Sequence, residues 1–324
     1  MRSNINVKDV QGRTVLSWAA ERGDVKVMTD LIRCGADPSM PSRKGLTPLH
    51  YATELNNTES LKLLLSAKVD VNARSVTGLT ALHIVAKRKS PAMIKLLVKH
   101  GADLKLRSVV HGTPIYHAAE KDRAANVVEV LRLGSDPNAR SYRGTSLLHI
   151  AVLRNSHSVL RELLFRVEPD FMAMDDDQRD VFHYASICAD PKTLAILAKN
   201  WPCSVDPTRK NIYGYAAWHI ANDRRYNGED FARDHGRRPD DDPEVWYQAF
   251  EDMIVTIEKR SGAKTTTVEE IETSSESESD SGIVPQIVRN EGGTSYTQQS
   301  NEEREQESDE DSINDVYEDA LEQQ

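Results

Sequence analysis

The chain has 324 residues, of which 39% are apolar and 28% charged, and its formal net charge is −10. No apolar run approaches the roughly 18–20 residues that span a membrane, and the opening MRSNINVKDV lacks the apolar core of a signal peptide. Three cysteines, Cys34, Cys188 and Cys203, with no CxxC pair, argue against a disulfide framework or a zinc site and for a reducing compartment, cytoplasmic or nuclear.

The charge is unevenly divided. Residues 263–324 hold 18 acidic side chains against Lys264, Arg289 and Arg304, a net of −15, which leaves +5 on the preceding 262 residues. A weakly basic body is joined to a strongly acidic tail.

A repeat organises the body. Thr14, Thr47, Thr80, Thr113 and Ser146 follow one another at 33-residue steps, within GRTVLSWAA, GLTPLHYAT, GLTALHIVA, GTPIYHAA and GTSLLHIAV. Two weaker copies follow around His183 and His219, and a second phrase recurs between copies as CGADPS, KVDVN, HGADLK and GSDPN. Five in-phase copies define one supersecondary unit repeated along the chain. In the second unit Pro48 suits the first turn of a helix and Thr47 is placed to cap it. Leu49 and Ala52 then face inward, Asn56 and Asn57 form a break, and Leu61, Leu64 and Leu65 mark a second apolar face. Gly35 and Gly101 stand where the second helix must end in a left-handed residue. Such a pair of helices cannot bury its apolar faces alone, and stacking of neighbours completes the core.

The two ends of the body depart from this pattern. The first unit, TVLSWAAERGDVKVMTDLI, reads as an internal copy, so Trp18, Val25 and Met28 are expected to meet solvent unless something covers them. Either the chain is a fragment of a longer one or a partner covers this face. At the other end Asp242-Pro243-Glu244 reads as a helix start, behind which Trp246, Phe250, Met253, Ile254 and Ile257 share one face. This predicts a capping helix over the last repeat, or a helix offered to a partner. From about Ser261 the sequence becomes rich in Ser, Glu and Asp and poor in aromatic residues, which predicts disorder. Ser275, Ser277 and Ser308 each have an acidic residue three positions on and are candidate phosphorylation sites. The island Ile283-Val284…Ile287-Val288 is a candidate docking motif.

These phrases resemble the ankyrin repeat over roughly residues 4–222, most closely in GLTPLHYATELNNTESLKLLLSAKVDVN. The resemblance implies an all-α solenoid of helix-turn-helix units with short β-hairpin loops. On this resemblance residues 1–222 are expected to form an ankyrin repeat domain of about seven repeats, the last two degenerate, residues 223–260 a linker and capping helix, and residues 261–324 a disordered acidic tail. It also implies protein–protein recognition through the hairpin tips and the concave face, with no enzyme activity and no cofactor.

Several residues invite a chemical role. His50, His83, His149, His183 and His219 recur at one place in the repeat. The family implies that this histidine is structural, and a spacing of about 10 Å between stacked equivalents is too wide for a shared metal. Ser17 and Tyr116 occupy the same slot. Asp175-Asp176-Asp177 and Asp240-Asp241-Asp242 lack the Gly and terminal Glu of a calcium loop and read as solvated loops. Cys34 and Cys188 read as packing residues. No phosphate-binding loop or nucleophile elbow occurs.

Nine residues before the histidine slot stand Lys8, Pro41, Arg74, Arg107, Arg140, Met174 and Lys210. In many ankyrin sequences a basic residue here is followed by Asp. Asp9 keeps that pattern, but Ser42, Ser75, Ser108 and Ser141 replace it, so the Arg row has lost its adjacent counter-charge. Arg74, Arg107 and Arg140, with Arg43, Tyr142 and Arg143 as neighbours, are therefore the expected protein-binding residues. An acidic partner suits them. The chain's own acidic tail is a candidate for self-masking, and a merely solvated row is the alternative. Nucleic acid is not expected, because the body's charge is modest and no aromatic residues interleave with the row.

The leading functional expectation is a scaffold or adaptor for a protein partner. An alternative resembles the inhibitors of NF-kappaB class, which retain a transcription factor. Asp280-Ser281-Gly282 echoes their phosphorylated signal, although Pro285 stands where its second Ser belongs. A third is the C-terminal sensor array of a longer signalling protein with a nucleotide-binding module, since GRTVLSWAAERGD is similar to repeats in long fungal arrays.

Overall fold

A computed structural model describes residues 4–54, 56–109, 112–141, 143–167, 169–201, 209–226 and 242–261. Tyr142, Cys203, the candidate phosphorylation sites and the acidic tail lie outside the described residues. The chain divides into two compact units, with the boundary between Asp170 and Phe171.

The first unit is five helix pairs. They are α1 (Val15–Arg22) with α2 (Val25–Arg33), α3 (Pro48–Glu54) with α4 (Thr58–Ser66), α5 (Ala81–Lys87) with α6 (Pro91–Lys99), α7 (Pro114–Glu120) with α8 (Ala124–Arg132), and α9 (Leu147–Leu153) with α10 (His157–Arg166). Inner helices of seven or eight residues are too short to persist alone. They persist because they are buried on almost every side, as Ala81 to Ala86 of α5 and Pro114 to Ala119 of α7 are. Outer helices are amphipathic: α4 buries Leu61, Leu64 and Leu65, and α6 buries Met93, Ile94 and Leu97. Inner packs on inner from α1 to α9, and outer on outer for α2 with α4, α6 with α8 and α8 with α10. Among the described residues there is no strand. The hairpins are turns closed by isolated antiparallel bridges, Lys8 with Thr14 and Ser108 with Gly112 in this unit and Lys210 with Ala216 in the second.

The expected punctuation is present. Asn56 takes a positive φ and Asn57 caps α4 by accepting from the Glu59 and Ser60 amides. Gly35 and Gly101 follow α2 and α6 at φ +92° and +93°. In the second repeat the left-handed residue is Lys68, at φ 56°. A side chain there costs about 1–2 kcal/mol relative to glycine. Lys68→Gly is therefore expected to raise stability by about 1 kcal/mol, read as a higher midpoint in urea with an unchanged slope.

Two expectations for the first repeat are corrected. Met28 is fully buried, on a helix that packs along α4 of the second repeat. Cys34 is exposed beyond the end of α2 and does not pack. Trp18 stays 40% exposed. The Arg13 guanidinium lies over its ring at 3.7 Å, and its indole N–H donates to Asp9 at 3.0 Å.

The second unit holds α11 (Val181–Cys188), α12 (Pro191–Asn200), α13 (Ala217–Tyr226) and α14 (Pro243–Ser261). Helix α14 packs along both α12 and α13, as α8 packs along α6 and α7. It therefore takes the place of the outer helix of the seventh pair, rather than sitting as an added cap over a complete one. Only the connection differs: residues 227–242 separate α13 from α14, where the other pairs use two or three residues. Trp246, Phe250, Met253, Ile254 and Ile257 are each 1% exposed. The Trp246 indole donates to the Ala189 carbonyl at 2.7 Å, and Arg224 lies over its ring at 3.9 Å. Phe250 stacks on Trp246 and on Phe182, with centroids 5.3 and 5.2 Å away. Apolar patterning, not loop length, brings the helix into its place in the stack.

Candidate recognition surface at the hairpin tips

Five hairpins begin with a side chain that closes its own turn. Asp9, Ser42 and Ser75 accept the amide four residues on, from Arg13 at 2.8 Å, Leu46 at 3.2 Å and Leu79 at 3.0 Å. In the second unit Asp175 and Asn211 do the same for Arg179 at 2.8 Å and Tyr215 at 3.1 Å. Ser42 and Ser75 are thus neutral substitutes for Asp9 in a turn-closing role. The solvated reading of Asp175 is corrected by the same geometry. Its carboxylate is buried, pairs with Arg179 at 2.9 Å and accepts from the Tyr184 hydroxyl at 2.8 Å. No acidic, histidine or cysteine cluster able to hold a metal occurs among the described residues.

The basic row is exposed at the hairpins and its members are engaged. Lys8 donates to the Pro41 carbonyl at 2.8 Å, Arg74 to that of Arg107 at 2.7 Å, and Arg107 to that of Arg140 at 2.7 Å. Each bond crosses 33 residues and ties one hairpin to the same position in the next. Charge-assisted bonds of this kind are roughly twice as strong as neutral ones. Arg140 instead turns back to Gly144 at 3.0 Å. Arg43 and Arg143 stand exposed on the turns themselves. The structure therefore separates residues that hold the hairpins in register, Arg74 and Arg107, from those that project from them.

A backbone ladder runs beneath these side chains. The amides of Arg43, Val76 and Val109 donate to the carbonyls of Gln11, Lys44 and Thr77 at 2.9, 3.0 and 2.9 Å. Neighbouring tips lie so close that a Cβ at Gly12 would fall 2.8 Å from the Arg43 amide, and one at Gly45 2.9 Å from the Val76 amide. Both glycines also hold positive φ, so the approach depends on them. The outermost slot of this ladder carries Val10, Arg43, Val76 and Val109, and Tyr142 falls at the same slot in the sequence. Val10 is 80% exposed, Val76 63% and Val109 58%. The valines were missed in the sequence. Their signal is a β-branched apolar residue directly after the turn-closing serine, where turns ordinarily carry polar side chains.

The histidines anchor this surface from below. The Thr47 amide donates to Nδ1 of His50 at 3.0 Å, so Nε2 carries the proton and donates to the Leu79 carbonyl of the next repeat at 3.2 Å. His83 repeats the arrangement between Thr80 and Gly112, at 3.1 and 3.2 Å. In the second unit His183 lies 3.1 Å from the Tyr215 carbonyl. Burial pushes His50 and His83 down to about 4, so both are neutral near pH 7. Tyr116 replaces histidine without losing the bond. Its hydroxyl donates to the Thr145 carbonyl at 2.8 Å, 29 residues ahead, the same separation as for His50 and His83. Burial pushes the phenol up and keeps the donor proton in place.

Stacked helix pairs pinned tip to tip define a repeat module whose exposed turns form a continuous edge. The family model described as ankyrin repeats (3 copies) matches residues 1–75 and 69–141. The ankyrin repeat domain of Bcl-3, described as a unique member of the IkappaB protein family, is similar at 27% identity, over 60% of this chain and 86% of that one, with a TM-score of 0.53. No curated protein matches the sequence. Residues 1–141 carry ankyrin repeats, and the helix pairs have the ankyrin-repeat fold. The chain's function at this level is protein–protein interaction. No helix among the described residues is long and apolar enough to cross a membrane.

Proposed function

We propose that the protein is a scaffold or adaptor that grips an extended segment of a protein partner along the hairpin tips of its first unit. The observation that carries this is the exposure of Val76 and Val109 in one ladder slot, with Arg43 before them and Arg143 after them. At about 10 Å per repeat, the stripe from Arg43 to Arg143 runs about 30 Å. Roughly nine residues of extended chain cover that length. The fitting segment has an apolar centre and acidic flanks. Arg74, Arg107 and Arg140 contribute by fixing hairpin register and by adding positive potential within a screening length of about 8–10 Å. Tyr142 belongs to the same stripe by its sequence position.

The test is partner capture by the full chain and by Val76→Ser/Val109→Ser, with Arg43→Glu/Arg143→Glu as a second variant. The serine pair is expected to weaken capture at least tenfold with the circular dichroism unchanged. The glutamate pair is expected to weaken it and to flatten its salt dependence. Unchanged affinity in the serine pair would place recognition elsewhere.

The likeness to the Bcl-3 domain favours a second reading, an inhibitor-like regulator that retains a transcription or signalling factor in the cytoplasm or nucleus. The array at the end of a longer signalling protein is a third. In each the surface and its chemistry are the same, and none calls for a cofactor, turnover or nucleic acid. Self-masking of the tip arginines by the acidic tail is a separate alternative, tested by comparing partner affinity before and after neutralising its glutamates.

A further inference from the structure

A groove of about 550 Å³ runs between α12 and α14 on the second unit. Its apolar lining comes from Pro191, Ala195, Ala198, Ala249 and Met253. Small side chains on both helices keep it open. It is also polarised along its length. Arg260 donates to the Ala198 carbonyl at 3.1 Å and to that of Lys199, so the C-terminal ends of the two helices meet at one end of the groove. Lys199, Lys259 and Arg260 are exposed there. Asp252 lines the groove about two turns back along α14.

We infer that this groove is the docking site of the chain's own segment 283–288, Ile-Val-Pro-Gln-Ile-Val. Three observations select this occupant. The chain leaves α14 at Ser261, at the basic end of the groove. The segment is the apolar island of the acidic tail, and Glu272, Glu276, Glu278 and Asp280 precede it directly. A chain that enters from the basic end sets these carboxylates against Lys199 and Lys259 and lays Ile283 and Ile287 along the apolar trough, antiparallel to α14. The Pro285 ring suits this extended path, since it has no amide to leave unpaired. The length also fits. Twenty-one residues lie between Ser261 and Ile283, and a random coil of that length would span about 25 Å. The apolar lining from Pro191 to Ala198 covers about 10 Å at the helical rise, so the loop closes without stretching.

The same polarity makes the contact adjustable. Ser275 and Ser277 lie within the acidic stretch, and each phosphate adds about −1.5 to −2 charge opposite the basic end. Phosphorylation therefore tightens the docked state. This inference does not depend on the hairpin-tip proposal, since the two surfaces share no residue.

Photo-cross-linking in the full chain tests it. A benzophenone side chain at position 287 is expected to react mainly with residues 191–199 and 249–260. The yield should be unaffected by tenfold dilution. Lys199→Glu should lower it several-fold, and phosphoserine at 275 and 277 should raise it. Arg260 is left intact because it ties α14 to α12. Cross-links spread over the molecule in proportion to exposed surface would overturn the inference. So would cross-links that form only between two chains and fade on dilution.

Discussion

Trp246→Ala is expected to destabilise the second unit by about 3–5 kcal/mol, the range for deleting a large buried aromatic side chain. The ring touches every part of the seventh pair. It stacks on Phe250, carries the Arg224 guanidinium and donates to Ala189. Its loss leaves a cavity and removes one of the two donors to the buried Ala189 carbonyl. Arg224 also donates to Ile187 and Ala189, at 3.3 and 3.2 Å, and loses the surface that orders it. Because repeat stability is largely nearest-neighbour, the effect should be confined. Hydrogen exchange is expected to accelerate in α12 to α14 and to stay unchanged in α3 to α6. Trp18→Ala is the control, since Trp18 is 40% exposed and should cost less than about 1–2 kcal/mol. Equal losses in the two variants would mean that α14 is not part of the packed stack.

Mild acid is expected to weaken the first unit more than its surface charges account for. His50 and His83 have folded values near 4, held down by burial, against 6.5 for the exposed group. The unfolded chain therefore binds these two protons first. Stability is unaffected above about pH 6.5, falls as pH drops below it, and levels off below about 4. At pH 5 each histidine is about 1.5 units inside this window, worth about 2 kcal/mol at 1.36 kcal/mol per unit. A protonated imidazole also loses the acceptor that holds the Thr47 or Thr80 amide. Denaturation midpoints at pH 7 and pH 5 measure the loss. His50→Gln/His83→Gln should be less stable at pH 7 and less sensitive to the change. The same pH dependence in that variant would assign the effect to other groups.

How much of this was legible in the sequence follows from where each partner sits. The 33-residue step, Pro48 at a helix start, the Asn56–Asn57 break and the glycines after α2 and α6 are local features, and local side chains announce them. The apolar face of α14 was equally plain, but its place was not. A helix that follows sixteen residues of other sequence looks like an addition, and only its packing on α12 and α13 marks it as the missing half of a pair. The family resemblance implied the backbone bonds of the histidines, but the other inter-repeat bonds were invisible for another reason. Arg74, Arg107 and Tyr116 donate to backbone carbonyls, and a carbonyl leaves no mark in the sequence. Hence the arginines read as a bare charged row, and Tyr116 read as a lapse in the histidine pattern rather than a longer arm to the same acceptor. Met28 was misplaced by the same logic, because packing of neighbouring repeats is a tertiary fact, and Asp175 because its partners Arg179 and Tyr184 meet it only once its own hairpin has closed. The exposed valines of the tips were written in the sequence and were passed over in favour of charge.

The most direct measurement places a photo-reactive side chain at one position at a time, at Val76 and Val109 on the tips and at Lys62 and Lys95 on the outer helices, in otherwise intact protein mixed with its cellular extract. Recognition by the tips predicts one polypeptide captured from both valine positions and not from the lysine positions, with capture lost in Arg43→Glu/Arg143→Glu. The same species captured equally from the outer helices, or from them alone, would contradict it.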